Sequence, residues 1–222
     1  MAYELPSTIA KRIVPADFWV NFIRAAIKES RAAYEACAEF EPSEMHDAFP
    51  HLRRAHIEQA FRDVARMHGA DTAAPSNAHG GAYHSTARWP GITMTLARAD
   101  SPSQLPREAV FRDTLAMSAQ RDLFKNDDVP PTGDSVFAVL TYGNQPSTEW
   151  KCGFPAFVSV VFPDQANQAV IDFVDLTLEL HKAITMVTAE DEAERRRIEE
   201  TEKRDLGVKL KPARKTKSKE NP

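Results

Sequence analysis

The sequence predicts an α+β fold, with N-terminal helices, a mostly antiparallel sheet of about four strands, a long C-terminal helix and a disordered basic tail. Three observations lead to this prediction. Apolar residues recur at helical spacing early in the chain, alternate or run continuously between residues 82 and 162, and return to helical spacing from residue 170. Helices and strands that occupy separate stretches of a chain are typical of α+β proteins rather than doubly wound α/β proteins.

Two N-terminal helices are predicted, over residues 15–39 and 50–68. Pro15 suits the first position of the earlier helix, and Phe18, Phe22 and Ile23 begin an apolar stripe at three- and four-residue spacing. We expect the later helix to begin at Pro50, and Gly69 is a suitable C-terminal cap. The small and polar stretch "ADTAAPSNAHGG" that follows predicts a loop.

Strands are predicted where the pattern changes to a period of two. "AYHSTARW" and "ITMTLARA" alternate, and Pro90-Gly91 between them is typical of a hairpin turn. "SVFAVLTY" and "PAFVSVVF" are apolar on both faces, which indicates central strands that are covered on both sides. The pattern over residues 107–124 favours a helix and leaves a strand open.

The C-terminal third predicts one long helix followed by a tail. Apolar residues recur at helical spacing from Val170 to Val187, and a highly charged stretch continues the helix as far as Gly207. We expect a single globular α+β domain over residues 1–188, a charged solvent-exposed helix over 189–207 and a disordered basic tail over 208–222.

The composition indicates a cytoplasmic protein with an uneven charge distribution. Hydrophobic residues make up 42% of the 222-residue chain, enough for a sizeable core, and no apolar run approaches the roughly 20 residues of a membrane span. The N-terminus lacks the apolar segment of a secretory signal, and the two cysteines, Cys37 and Cys152, form no CxxC motif. Residues 203–222 carry a net charge of +6, so residues 1–202 carry −10 of the total of −4.

The stretch "NAHGGAYHSTARW" contains the two histidines that are the candidate metal ligands, His79 and His84. A zinc or iron site needs three or four converging ligands, and the nearest carboxylates in sequence are Asp71 and Asp100. We therefore interpret both histidines as residues of a loop and a strand surface. We predict neither a bound metal nor a cofactor.

An alternative interpretation is a metal-dependent phosphodiester nuclease. Glu149 and Lys151 form an ExK motif fifteen residues after Asp134, a set that in such nucleases binds a metal ion and positions a water molecule. The surrounding sequences "PTGDS" and "PSTEWKCGFP" are typical of turns and loops, which weakens the motif.

The leading hypothesis is a non-enzymatic cytoplasmic protein that regulates through association with another molecule. A protein partner or a homo-oligomer is expected, with nucleic acid as a further partner of the tail and no membrane contact. The size fits a prokaryotic toxin–antitoxin or phage-defence accessory protein. The residues expected to bind the partner are the basic ones of the tail: Lys209, Lys211, Arg214, Lys215, Lys217 and Lys219.

Overall fold

The computed structural model describes residues 4–75, 83–120, 136–143, 154–164 and 166–209. Within them the α+β fold is confirmed. The helices are α1 (Pro6–Ile13), α2 (Ala16–Ala36), α3 (Pro42–Met67), α4 (Val110–Gln120) and α5 (Thr177–Lys209). The strands are β1 (Asp71–Ala73), β2 (Thr86–Trp89), β3 (Ile92–Arg98), β4 (Val136–Gly143), β5 (Phe157–Pro163) and β6 (Val170–Asp175).

The strands form one mixed sheet in the order β1-β2-β3-β4-β5-β6. Every neighbouring pair is antiparallel except β3 and β4, so the prediction of a mostly antiparallel sheet is confirmed. The expected number of about four strands is wrong, because the described sheet has six. The two missed strands lie at the edges: β1 is three residues long within a predicted loop, and β6 lies within a predicted helix.

The predicted helix from Val170 to Val187 is therefore corrected to a strand, Leu176 and a helix. Half-buried and exposed residues alternate along β6, with Ile171 and Phe173 exposed. An edge strand needs few fully buried positions, so its apolar residues fitted the helical period as well as the strand period. The Asp175 carboxylate accepts a hydrogen bond of 2.8 Å from the backbone N–H of Thr177, at the start of α5.

The two predicted N-terminal helices exist, with different starts. Pro15 has an extended ψ of 137° and precedes α2 rather than opening it. α3 begins at Pro42 and continues through Pro50, which the sequence analysis took as its start. An internal proline costs about 3 kcal/mol. Burial of the neighbouring Phe49 ring, which is 1% exposed, offsets part of that cost.

Three further local predictions agree with the structure, whereas α5 continues beyond its predicted end at Gly207 to Lys209. All residues of β4 and β5 are buried, as expected of central strands. Residues 110–120 form a helix. Gly69 follows α3 with a φ of +80°, and the N–H groups of Gly69 and Ala70 donate to the carbonyls of Arg66 and Ala65, which is the Schellman pattern of a helix C-terminus.

The chain divides into two compact units, residues 1–183 and residues 184–222. The first contains the sheet and α1 to α4. In the second, residues 192–200 are helical and exposed, and Arg196 and Glu192 approach to 4.0 Å on the helix surface. None of the described helices combines the length and apolar character that a membrane crossing requires.

We expect alanine at Gly143 to destabilise the sheet. A β-carbon there would lie 2.5 Å from the Ala99 carbonyl oxygen and would collide with the Phe157 ring. Overpacking of this kind costs about 1–3 kcal/mol, measurable as a lower free energy of unfolding in urea. The matched control is Gly69→Ala, where nothing lies within 4 Å and only the positive φ opposes the change. A Gly143→Ala protein as stable as the wild type would contradict the close packing.

Candidate ligand-binding cavity

A cavity of about 620 Å³ lies at the carboxyl ends of β3 and β4. Because these two strands are parallel, their carboxyl ends meet at one edge of the sheet, where Arg98 pairs with Tyr142. The crossover from β3 to β4 includes α4, and Phe111 and Arg112 in the first turn of that helix line the cavity. Carboxyl ends of parallel strands are a common place for ligands, and the volume is within the usual 300–1,000 Å³ of ligand sites.

Arginines dominate the charged side chains of the cavity. Its walls include Arg54 of α3, Arg98 of β3, Arg107, and Arg112 of α4. Two carboxylates, Glu58 and Asp100, lie among them, which leaves a formal excess of positive charge. The amino end of α4 adds the partial positive charge of a helix dipole. The cavity therefore favours an anion.

Glu58 is already held by its neighbours on the α3 side of the cavity. Its buried carboxylate accepts hydrogen bonds from Arg54 Nε at 2.7 Å and from Ser85 Oγ at 3.2 Å. Arg62 Nη1 donates to Ser85 Oγ at 2.5 Å, and Arg54 Nη2 donates to the Tyr83 carbonyl at 2.8 Å. Glu58 is therefore the counter-ion of Arg54 and is not available to the buried Arg112.

Arg112 is the least compensated of these arginines. Only 7% of the residue is exposed, and its Nε is buried without a hydrogen-bond partner among the described residues. One terminal nitrogen donates to the Arg107 carbonyl, and the guanidinium carbon lies 5.0 Å from the centre of the Phe111 ring. Burial lowers the pKa of Arg112, nearby Asp113 opposes this, and Arg54 adds to it. The Asp113 carboxylate itself accepts a hydrogen bond from Asn167.

His84 lies beside Arg112 and is a correction to the sequence analysis, which placed it on a loop and strand surface. It is only 8% exposed, and its ring stacks on Phe111 with 3.7 Å between centroids and an interplanar angle of 19°. Its Nδ1 is buried without a partner among the described residues. Burial lowers the pKa of His84, Glu58 opposes that shift, and Arg112 and Arg54 favour it. At neutral pH the imidazole is therefore uncharged.

Tyr142 lines the cavity, and the guanidinium of Arg53 lies next to the Tyr142 ring. Tyr142 is buried, and burial raises the pKa of its phenol despite the nearby Arg53 guanidinium. The guanidinium carbon of Arg53 lies 5.3 Å from the Phe49 ring centre and 5.5 Å from that of Tyr142. Desolvation lowers the pKa of Arg53 to about 10. This buried cation adds to the positive potential near the cavity.

None of the other site residues predicted from the sequence is among the described residues that line the cavity. His79, Asp134, Glu149 and Lys151 lie outside the described residues, as do the tail residues beyond Lys209. Lys209 is the last residue of α5. In the described ranges, no group of three or more histidine, cysteine, aspartate or glutamate side chains is placed to hold a metal ion.

Arg54, Arg98 and Arg112 were not predicted as site residues from the sequence. In the sequence they stand in "LRRAHIEQAF", "LARADS" and "VFRDTL", where each is ordinary surface chemistry for its predicted element. The signal that was present is the position of Arg98 at the end of a strand and of Arg112 in the first turn of the following helix. These two positions indicate a shared site only when β3 and β4 are known to be parallel.

Fold and cavity together define the class: an α+β protein whose mixed sheet carries an arginine-rich cavity at its parallel strand pair. No protein-family model, curated protein or solved structure matches the chain.

The lowered pKa of His84 predicts a stability that falls on mild acidification. The unfolded chain takes up a proton near the ordinary histidine pKa of about 6.5, whereas the folded chain resists it until a lower pH. Stability attributable to His84 is therefore complete above about pH 6.5 and is lost as the pH falls through the folded-state pKa. Urea unfolding from pH 7.5 to pH 5 should show a steeper loss for the wild type than for His84→Gln.

The matched control for this pH prediction is His46→Gln. His46 lies in an exposed position on α3, outside the cavity. We expect this variant to follow the wild-type pH dependence. Identical pH slopes for the wild type and His84→Gln would show that the burial of His84 has no influence on its titration.

Proposed function

We propose that this protein binds a small anionic molecule in the cavity at the carboxyl ends of β3 and β4. One observation carries the proposal: Arg112 is a buried cation at the cavity wall with no ion pair among the described residues. Burying a charge is costly unless it is paired, so proteins normally provide a counter-ion. A bound phosphate or carboxylate would supply that counter-ion.

Each residue has a distinct role in this proposal. Arg98 and Arg107 are exposed and can attract an anion from solution. Arg112 would make the charge-assisted hydrogen bonds that hold it, since its guanidinium presents a planar array of donors. His84 would line the site as an uncharged ring stacked on Phe111. Glu58 keeps Arg54 in place through their ion pair.

Thermal unfolding in the presence of candidate anions tests this function. Phosphate, pyrophosphate and citrate are compared with chloride at the same ionic strength and pH 7. An anion at 100 times its Kd stabilises the folded state by about 2.7 kcal/mol, which for a chain of this size raises the Tm by about 5–10 °C. We expect at least one multivalent anion to give a saturable rise in Tm. The control is Arg24→Gln, at an exposed position of α2, which should show the same rise.

The same measurements can also contradict the proposed function. Shifts that depend on ionic strength alone, with no saturation for any of the three anions, would remove the proposed function. Equal shifts in the wild type and a cavity variant would also remove it, because the anion would then bind elsewhere.

Association through the basic tail is a second proposal, supported by the charge asymmetry of +6 in residues 203–222 against −10 in the rest of the chain. It assigns a protein or nucleic-acid partner to Lys209 and the tail residues that follow. The nuclease alternative with Asp134, Glu149 and Lys151 also stays a prediction from the sequence. Neither proposal involves the arginines that line the cavity, so substitutions at those arginines test anion binding by itself.

A further inference from the structure

A second cavity of about 420 Å³ adjoins the arginine-rich one. The two cavities share Arg54 and Glu58, which lie one turn apart on α3 and form an ion pair. These two side chains therefore belong to the walls of both cavities. The two cavities therefore lie next to each other on the protein.

The second cavity differs in character because it presents an exposed aromatic ring. Tyr83 lines it and is 62% exposed, more than the Phe173 or Phe40 rings. Its backbone is held by the hydrogen bond from Arg54 to the Tyr83 carbonyl. His51 and Arg62 also line this cavity. An exposed aromatic ring beside an arginine is a combination that proteins use to stack nucleobases.

We infer that the anion is a nucleoside phosphate, with its phosphate in the arginine-rich cavity and its base against Tyr83 in the second cavity. This inference rests on the proposed function. Phosphate suits the first cavity because Arg112 and the amino end of α4 both favour a multivalent oxyanion. The base suits the second because stacking needs only a planar face, which Tyr83 offers to solvent.

A simple anion would occupy the first cavity and make no contact in the second. Phosphate or citrate would satisfy Arg112 but would leave the Tyr83 ring exposed beside Arg62 and His51. A nucleoside phosphate would contact both cavities and would leave the Arg54–Glu58 ion pair intact. The shared chemistry, a 5′-phosphate joined to a nucleoside, occurs in a free nucleotide and at the 5′ end of a nucleic-acid strand.

Calorimetric titration of the full chain tests the inference with five probes: inorganic phosphate, ribose 5-phosphate, AMP, UMP and a 5′-phosphorylated tetranucleotide. We expect AMP and UMP to bind roughly 5- to 150-fold more tightly than ribose 5-phosphate, the factor that stacking of one base provides. Tyr83→Ala should lose this factor and leave the affinity for ribose 5-phosphate unchanged. Tyr83→Phe should keep it, since it retains the ring.

The control for these variants is Phe40→Ala, which removes an exposed aromatic ring outside both cavities and should bind all probes like the wild type. A tetranucleotide that binds as tightly as AMP would identify a strand end as the source of the nucleotide. A much weaker tetranucleotide would identify the free nucleotide.

The outcomes separate this inference from the proposed function. Equal affinity for ribose 5-phosphate and the nucleotides would overturn the nucleoside and leave anion binding intact. A nucleotide preference that survives in Tyr83→Ala would overturn the placement of the base. Absence of binding by all five probes, together with no response to citrate or pyrophosphate, would overturn anion binding itself.

Discussion

Replacement of Phe18 by alanine is expected to lower the free energy of unfolding by about 3–5 kcal/mol, the usual cost of removing a buried phenylalanine ring. Phe18 lies on α2 and has no exposed surface. Its ring contacts those of Phe61 on α3 and Trp89 on β2, with 6.3 Å and 5.2 Å between centroids. The substitution therefore leaves a void where two helices meet the sheet.

The packing around Phe18 explains why the void should not collapse easily. Trp89 is held by a hydrogen bond of 3.0 Å from its indole N–H to the His68 carbonyl, at the end of α3. His68 is held in turn by a contact of 3.0 Å between its Nε2 and Asn21 Nδ2. Because these groups are tied to α2 and α3, they cannot move freely into the space that the Phe18 ring vacates.

Urea unfolding measures the Phe18 effect, with Phe40→Ala as the control. Phe40 is 43% exposed, so its loss should cost much less. The Tm of Phe18→Ala should fall by about 6–20 °C for a chain of this length. A loss below about 1 kcal/mol would show that α2 does not pack against α3 and β2 through this residue.

Replacement of Arg112 by methionine is expected to abolish anion binding and to leave the ligand-free protein as stable as before or more stable. Methionine keeps most of the length of the arginine side chain and removes its buried charge. Removing one member of a buried charge pair costs about 2–5 kcal/mol of binding free energy, which corresponds to a loss of affinity of about 30-fold or more. Loss of an uncompensated buried charge favours the ligand-free folded state.

Stability and binding measured on the same sample distinguish a ligand-binding role of Arg112 from a structural one. If Arg112 serves only to donate to the Arg107 carbonyl and to contact Phe111, Arg112→Met should destabilise the protein and keep its affinity for anions. Arg24→Met on the exposed face of α2 is the matched control, and both properties should stay at wild-type values. Retained anion binding in Arg112→Met would contradict the proposed site.

Much of the fold could be predicted because its signals are local. The buried strands β4 and β5, the hairpin turn at Pro90-Gly91, the cap at Gly69 and the existence of α2 follow from residue types over a few positions. These features depend on backbone preferences and on burial of adjacent residues, which a short window of sequence contains. The strongly charged helical stretch before residue 201 was predictable for the same reason.

The errors arose where packing at a distance overrides local preference. Pro50 marks a helix start by its own chemistry, yet α3 passes through it because Phe49 packs against Ala33 and Cys37. β6 resembles a helix by spacing, yet it is a strand because β5 offers it a partner. In both cases the deciding contact joins residues that no short window contains.

By itself the sequence determined the α+β class, the central strands and the separation of an acidic body from a basic tail, since composition and periodicity carry that information. Only the tertiary structure decided the cavity. Arg54, His84, Arg98 and Arg112 come from a helix, a connecting segment, a strand and another helix, and each is unremarkable in its own segment. The parallel pairing of β3 with β4 brings them together, and burial makes the charge of Arg112 costly without a counter-ion.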